Sequence, residues 1–136
     1  MTVERGVVLA IVVVVAALAA GLYSALRRRW GADVERLDVD ELGLELMSGC
    51  CAFVVFTTPA CRPCKAALRI VEGAAARSSG ATEVTTVDAM QRADITHHYN
   101  VRTIPTVFLI TASGHVVKRW RDVPKADDVD AALAAL

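Results

Sequence analysis

Cys61 and Cys64 are the residues in this chain best equipped for chemistry. Two thiols three positions apart sit about one helical turn from each other, near enough to close a small disulfide. An apolar run at residues 51–56 and a turn, Thr57-Thr58-Pro59-Ala60, come before them, and residues 65–76 after them read as a helix. Cys61 therefore falls at a helix N-terminus, where unpaired N–H groups and the helix dipole favour a negative sulfur. The thiolate is the reactive form, and a Cys-x-x-Cys near a βαβ pattern is a redox signature. Half of a zinc site, or a pair merely packed in a helix, would show the same spacing. Zinc would need two further ligands. Cys50-Cys51 and His97-His98 are the candidates, and adjacent residues rarely both ligate one ion. The setting favours redox chemistry, and no metal is expected.

Composition bounds the rest. Residues 1–30 differ in character from 31–136, which leaves about 105 residues for one small domain with a single core. The 54% hydrophobic fraction is inflated by the N-terminus and by Ala-rich helical stretches. Net charge is zero and no basic patch stands out, so nucleic acid is not an expected partner. Four cysteines, two of them at redox spacing, do not make a secreted disulfide framework.

Residues 7–26 carry no charge and are long enough to cross a hydrocarbon core. Arg27-Arg28-Arg29-Trp30 follows at once, a set of interface anchors, with Tyr23 a weaker one. A buried core helix is the alternative, and the segment's lack of any polar face counts against it in so small a domain. A cleaved signal is the stronger rival, with Ala17-Leu18-Ala19 as its cleavage site. Against it, Arg5 sits beside Glu4, and the arginine triplet would follow closely after the cut. The expectation is a single-pass, uncleaved anchor in the lipid bilayer. Arg27, Arg28, Arg29 and Arg36 outweigh Arg5 and the α-amino group, which places the domain in the cytoplasm, the extracytoplasmic side being the alternative.

Several elements must position the dithiol. Residues 34–37 fit a short edge strand. Residues 38–47 fit a helix opened by Asp38, with Leu42 and Leu46 on one face and Gly49 as its stop. The continuously apolar residues 52–56 fit a central strand covered on both faces. Residues 61–76 fit a helix with Pro63 in its first turn, where a missing N–H costs little. Strands at 83–88, 106–110 and 115–120, short helices at 93–99 and from Pro124 onward, and a hairpin at Ala112-Ser113-Gly114 complete the order βαβαβαββα. Val129, Leu133 and Leu136 mark the apolar stripe of the last helix. The sum is an α/β fold, a mixed sheet with helices on both faces, preceded by one transmembrane helix.

These residues resemble the thioredoxin family over essentially the whole of 34–136. Phe53-Val54-Val55-Phe56 leads to Cys61-Arg62-Pro63-Cys64-Lys65, including the proline between the thiols and the lysine after them. Val87-Asp88 resembles the end of the family's next strand. Val101-Arg102-Thr103-Ile104-Pro105-Thr106 resembles the loop with a cis proline beside the dithiol, and Gly114 the hairpin glycine. The resemblance implies a thioredoxin-like fold and a thiol–disulfide oxidoreductase, with Cys61 the exposed nucleophile and Cys64 the buried resolving thiol. It implies a cis Pro105, with Thr103 and Ile104 pairing with an extended substrate strand. Arg62, Pro63 and Lys65 would modulate the couple. No cofactor is implied beyond the redox-active Cys61–Cys64 disulfide. The implied partners are protein thiols and disulfides, and a reductase or membrane electron carrier.

The departures from the family pattern are specific. Ala60 stands where the family has Trp, and Arg62 where it has Gly. A cation there favours the Cys61 thiolate and a more oxidising couple. Val55 replaces a buried acid under the dithiol and Val84 the lysine that partners it, so slower exchange at neutral pH is expected. Arg121 and Asp122 fall where glycine is common, near the substrate groove. Cys50 and Cys51 lie a strand length away from Cys61 and read as packing, with a regulatory or intermolecular thiol as the alternative. His97 and His98 read as a solvated helix end, Phe108 and Trp120 as packing. The rival to catalysis is a non-catalytic thioredoxin-fold module for interaction or redox sensing.

Overall fold

The computed structural model describes residues 2–30 and 34–136, and for 2 and 27–30 the backbone alone. Contacts divide the chain into two compact units, Met1–Asp33 and Val34–Leu136. The first is a helix, α1 (Thr2–Trp30). Within it, Val3–Leu26 is 24 residues long, apolar and without buried side chains. At 1.5 Å per residue it measures about 36 Å, enough to cross a hydrocarbon core of about 30 Å. An N-terminal export signal would meet the same test of length and composition. The side chains of Arg27-Arg28-Arg29-Trp30, the expected interface anchors, lie outside the described residues.

The second unit holds four strands, β1 (Cys51–Thr57), β2 (Thr82–Asp88), β3 (Thr106–Thr111) and β4 (Val116–Trp120), and three helices, α2 (Arg62–Arg77), α3 (Ala93–His98) and α4 (Ala126–Ala134). The sheet order is β2-β1-β3-β4. β1 runs parallel to β2 and antiparallel to β3, and β3 and β4 form an antiparallel hairpin. The parallel pair requires the crossover that α2 supplies. Residues 52–56 and 107–110 are all fully buried, so the two central strands are covered on both faces. One face packs Val54, Phe56, Phe108 and Ile110 against Ile95 and Tyr99. The other packs Phe53, Val55, Val107 and Leu109 against Ala67 and Val71 of α2 and Val129 of α4. This period of two is what sets alternate strand residues on opposite sides. The result is a thioredoxin-like α/β fold.

Two expected elements take a different form. Residues 38–47 are not a helix. Asp38 does open a turn: its Oδ1 accepts the N–H groups of Asp40 and Glu41. The turn then closes after one round, because Gly43 adopts φ +67°, its N–H bonds Asp40 O, and Leu44 N–H bonds Val39 O. That pair of bonds around a left-handed glycine is a Schellman stop. Gly43, six residues before Gly49, ends the helix at its first turn.

Residues 34–37 form only an isolated bridge, Arg36 with His115, flanked by Leu37 N–H to Gly114 O and Val116 N–H to Glu35 O. The chain leaves the sheet edge at Asp38 to make the turn. The last helix ends at Ala134. Val129 and Ala132 are its buried residues, and Leu136 lies beyond it, exposed.

Candidate functional site

Strand register gathers the site. Thr57 pairs with Asp88, Phe56 with Thr106, and Val107 with Trp120. The chain therefore leaves β1, leaves β2, enters β3 and leaves β4 at one end of the sheet. Cys61, Cys64 and Pro105 all belong to connections at that end. Two bonds tie the connections together: Ala89 N–H to Thr57 O at 2.9 Å, and the Thr103 hydroxyl to Arg121 O at 2.9 Å.

Cys61 is the N-cap of α2, and its sulfur accepts the Cys64 N–H at 3.2 Å. A helix start here follows from the extended backbone of Cys61, with Pro63 inside the first turn where no donor is lost. No acid occupies that turn, so nothing opposes the dipole's support for negative charge on sulfur. Cys61 and Cys64 are joined as a disulfide, Cα–Cα 5.4 Å. Cys61 is half-buried and Cys64 only 1% exposed, so a reagent meets Cys61 first. Arg62, Pro63 and Lys65 are exposed around them.

Pro105 is buried, Ile104 half-buried and Thr103 exposed, and the Ile104–Pro105 peptide is cis. Thr106, buried and polar, was not foreseen as part of the site. Its hydroxyl donates to Thr103 O at 2.7 Å and braces the proline loop. The sequence signal for it is the Thr directly after Ile-Pro. Beneath α2, Val55 is fully buried in the cluster that holds Ala67, and Val84 packs against the same cluster. The two positions thus form an apolar floor where a carboxylate and a lysine were expected to be missing. Arg119 reaches across β3, with Nη2 donating to Asn100 O at 2.8 Å and its guanidinium 4.8 Å from the Phe108 ring centroid.

The Thioredoxin family model matches residues 44–135, more than half of the chain. The chain belongs to the thioredoxin family. Among solved structures, this thioredoxin-family chain is similar to a malaria parasite thioredoxin-2, at 14% identity and TM-score 0.61, over 70% of this chain and 91% of that one. It is similar to a chloroplastic thioredoxin z, at 20% identity and TM-score 0.60, over 76% and 93%. It is also similar to desulfothioredoxin from Desulfovibrio vulgaris Hildenborough, at 21% identity and TM-score 0.55, over 66% and 83%. At these identities the likeness is one of fold. A search of curated proteins returns no significant match. A thioredoxin-fold domain with its cysteine pair at a helix start is equipped for thiol–disulfide redox chemistry.

The other thiols lie apart. Cys50 and Cys51 are free and sit at the opposite end of β1. Cys51 packs against the core beside α2, its sulfur 3.3 Å from Thr82 Oγ1. With Leu46, Ser113 and Leu136 they line an open groove of about 580 Å³. His97 and His98 are exposed in the last turn of α3, and the His98 ring meets Tyr99 edge-on at 4.8 Å. Phe108 and Trp120 are buried.

Proposed function

We propose that the protein is a membrane-anchored thiol–disulfide oxidoreductase acting on protein substrates through Cys61 and Cys64. The observation that carries this is the asymmetry of the pair: a half-buried sulfur capping α2 beside a resolving sulfur that is 1% exposed. In the reducing direction the Cys61 thiolate bonds to one sulfur of a substrate disulfide. The substrate S–S bond breaks, and its second sulfur leaves as a thiolate that takes a proton. Cys64 then attacks the Cys61 sulfur and releases the first. Two electrons and two protons pass to the substrate, and the Cys61–Cys64 disulfide forms. A reductase or a membrane electron carrier restores the dithiol. Thr103 and Ile104, held by Pro105 and by the Thr106 brace, offer backbone to an extended substrate segment. Arg62 supports the thiolate on Cys61.

In this reading α1 is the anchor, and the excess of arginine after it favours a cytoplasmic domain, where a dithiol rests reduced. The test is Cys64→Ser in the full-length chain, expressed in membranes. Mixed disulfides with proteins through Cys61 are expected. Ready alkylation of Cys61 without any mixed disulfide would replace catalysis by a binding or redox-sensing role.

A further inference from the structure

We infer that the groove beside Cys50 is a modification site, where Cys50 takes up a neutral, hydroxyl-rich small thiol as a mixed disulfide. The site stands at the opposite end of β1 from the dithiol and goes beyond the exchange proposed for Cys61.

The chain turns into β1 through Gly49, at φ +85°, with Cys50 N–H bonded to Met47 O. In the sheet Cys51 pairs with Thr82 on one side and Thr111 on the other. The turn after Thr111 brings in Ala112 and Ser113, and Leu46 and Ser48 come from the segment before β1. These residues wall the groove of about 580 Å³ that both thiols line, a size that suits a small molecule.

The two thiols differ. The Cys51 sulfur lies 3.3 Å from Thr82 Oγ1, and that hydroxyl donates in turn to Ser78 Oγ at 3.3 Å. A hydroxyl has one proton to give, so Cys51 is the donor in the first bond and is held as a thiol. Ser78 is the C-cap of α2, where the helix dipole disfavours negative charge. Cys51 also packs against the core beside α2. Cys50 is free, half-buried and outside this relay. It is the thiol of the two that can ionise and meet a reagent in the groove.

The lining sets the class of partner. Ser48, Thr111 and Ser113 offer hydroxyls, and Thr111 Oγ1 stands 3.0 Å from Ser113 Oγ. Among the described residues, none that lines the groove has a charged side chain. A charged thiol would give up water there with no opposite charge to replace it. A thiol that carries hydroxyls exchanges one set of hydrogen bonds for another. A sugar-type thiol is the simplest such molecule.

The step is an exchange with the small thiol's own symmetric disulfide. The Cys50 thiolate bonds to one sulfur and the reagent's S–S bond breaks. The other half leaves as a thiolate and takes the proton that Cys50 gave up. Cys51, kept in its relay with Thr82, does not complete a second exchange. The cap therefore stays until an external thiol reverses it.

The test uses full-length C61S/C64S, reduced, in nonionic micelles, so that Cys50 and Cys51 are the only thiols present. The reagents are the symmetric disulfides of 1-thioglucose, 2-aminoethanethiol and mercaptoacetate, which are neutral, cationic and anionic. Intact mass gives each rate and peptide mapping gives its position. Each rate is divided by that of the same reagent on the chain unfolded in urea. A single adduct at Cys50 is expected, with the thioglucose ratio roughly tenfold above either charged reagent, the weight of one or two hydrogen bonds. A112W puts bulk into the groove and should bring that ratio down to the charged level, while iodoacetamide still alkylates Cys50. If A112W does not fold, the three ratios on C61S/C64S decide.

Equal ratios, a charged reagent ahead, or an adduct on Cys51 in place of Cys50 overturns the inference. So does a thioglucose ratio that a folded A112W leaves unchanged. Chains cross-linked in pairs through Cys50, in place of the adduct, would assign the groove to a second copy and overturn it as well. The redox function stands apart from all of these outcomes, because the test protein lacks the dithiol.

Discussion

A thiol exchanger must move a proton as well as electrons, and the residues beneath the Cys61–Cys64 pair bear on that step. Cys64 is buried, so its proton cannot pass directly to bulk water. Val55 sits fully buried in the cluster under α2 and offers neither donor nor acceptor. Val55→Asp should therefore speed exchange with a small neutral disulfide at neutral pH, by several-fold to about a hundredfold. The same change buries a carboxyl in an apolar cluster and should lower stability by roughly 1–3 kcal/mol. Stopped-flow rates and denaturant melts on one preparation check both halves. An unchanged rate in a folded variant would mean that Cys64 already exchanges its proton by way of water at the Cys61 edge.

Elements show where local pattern sufficed and where it did not. The strand at 51–57, the helix after Cys61 and the hairpin around Gly114 were legible because burial and turn chemistry act on neighbours in sequence. Residues 38–47 carried an N-cap and helical spacing, yet Gly43 ends the helix after one turn. What holds this segment is remote: Tyr99, 61 positions beyond Asp38, whose hydroxyl accepts the Asp38 N–H at 2.9 Å and donates to Glu41 at 2.7 Å. No local signal predicts that pairing.

Tyr99→Phe keeps the ring and removes the tie, and should cost about 1–2 kcal/mol. Burial, helped by Glu41, pushes the Tyr99 hydroxyl up to about 12. An ordinary tyrosine titrates near 10, so between those values the folded chain holds a proton that the unfolded chain has lost. Its contribution to stability is complete below about pH 10 and fades as pH rises through about 12. Melts over that range should show the fade in the parent and not in Tyr99→Phe.

Two left-handed glycines, Gly43 in this segment and Gly114 in the β3–β4 turn, have unequal tolerance. Gly43→Ala meets open space and only the left-handed backbone, a cost of roughly 1–2 kcal/mol. Gly114→Ala drives a methyl into the Leu37 carbonyl as well, and should cost about 3 kcal/mol or more.

For the whole molecule, the direction of the chemistry depends on the compartment that the dithiol meets. α1 gives a span long and apolar enough for a bilayer, and the arginines that follow it weigh towards a cytoplasmic domain. Retention of the anchor predicts that the mature chain keeps residues 1–19 by mass and stays with membranes through alkaline extraction. A cytoplasmic domain predicts that a membrane-impermeant maleimide leaves Cys61 unlabelled in intact cells and labels it once the membrane is opened. In that case the pair should be isolated largely as the dithiol, because the cytoplasmic thiol pool reduces it. Labelling in intact cells would place the domain outside. There the same residues would act as an oxidant, or as a reductant fed through the membrane, and acid trapping would tell which. A resting disulfide marks the first and a resting dithiol the second. The shorter mass expected from cleavage within Ala17-Leu18-Ala19 would remove the anchor and leave the dithiol's compartment to be set by export.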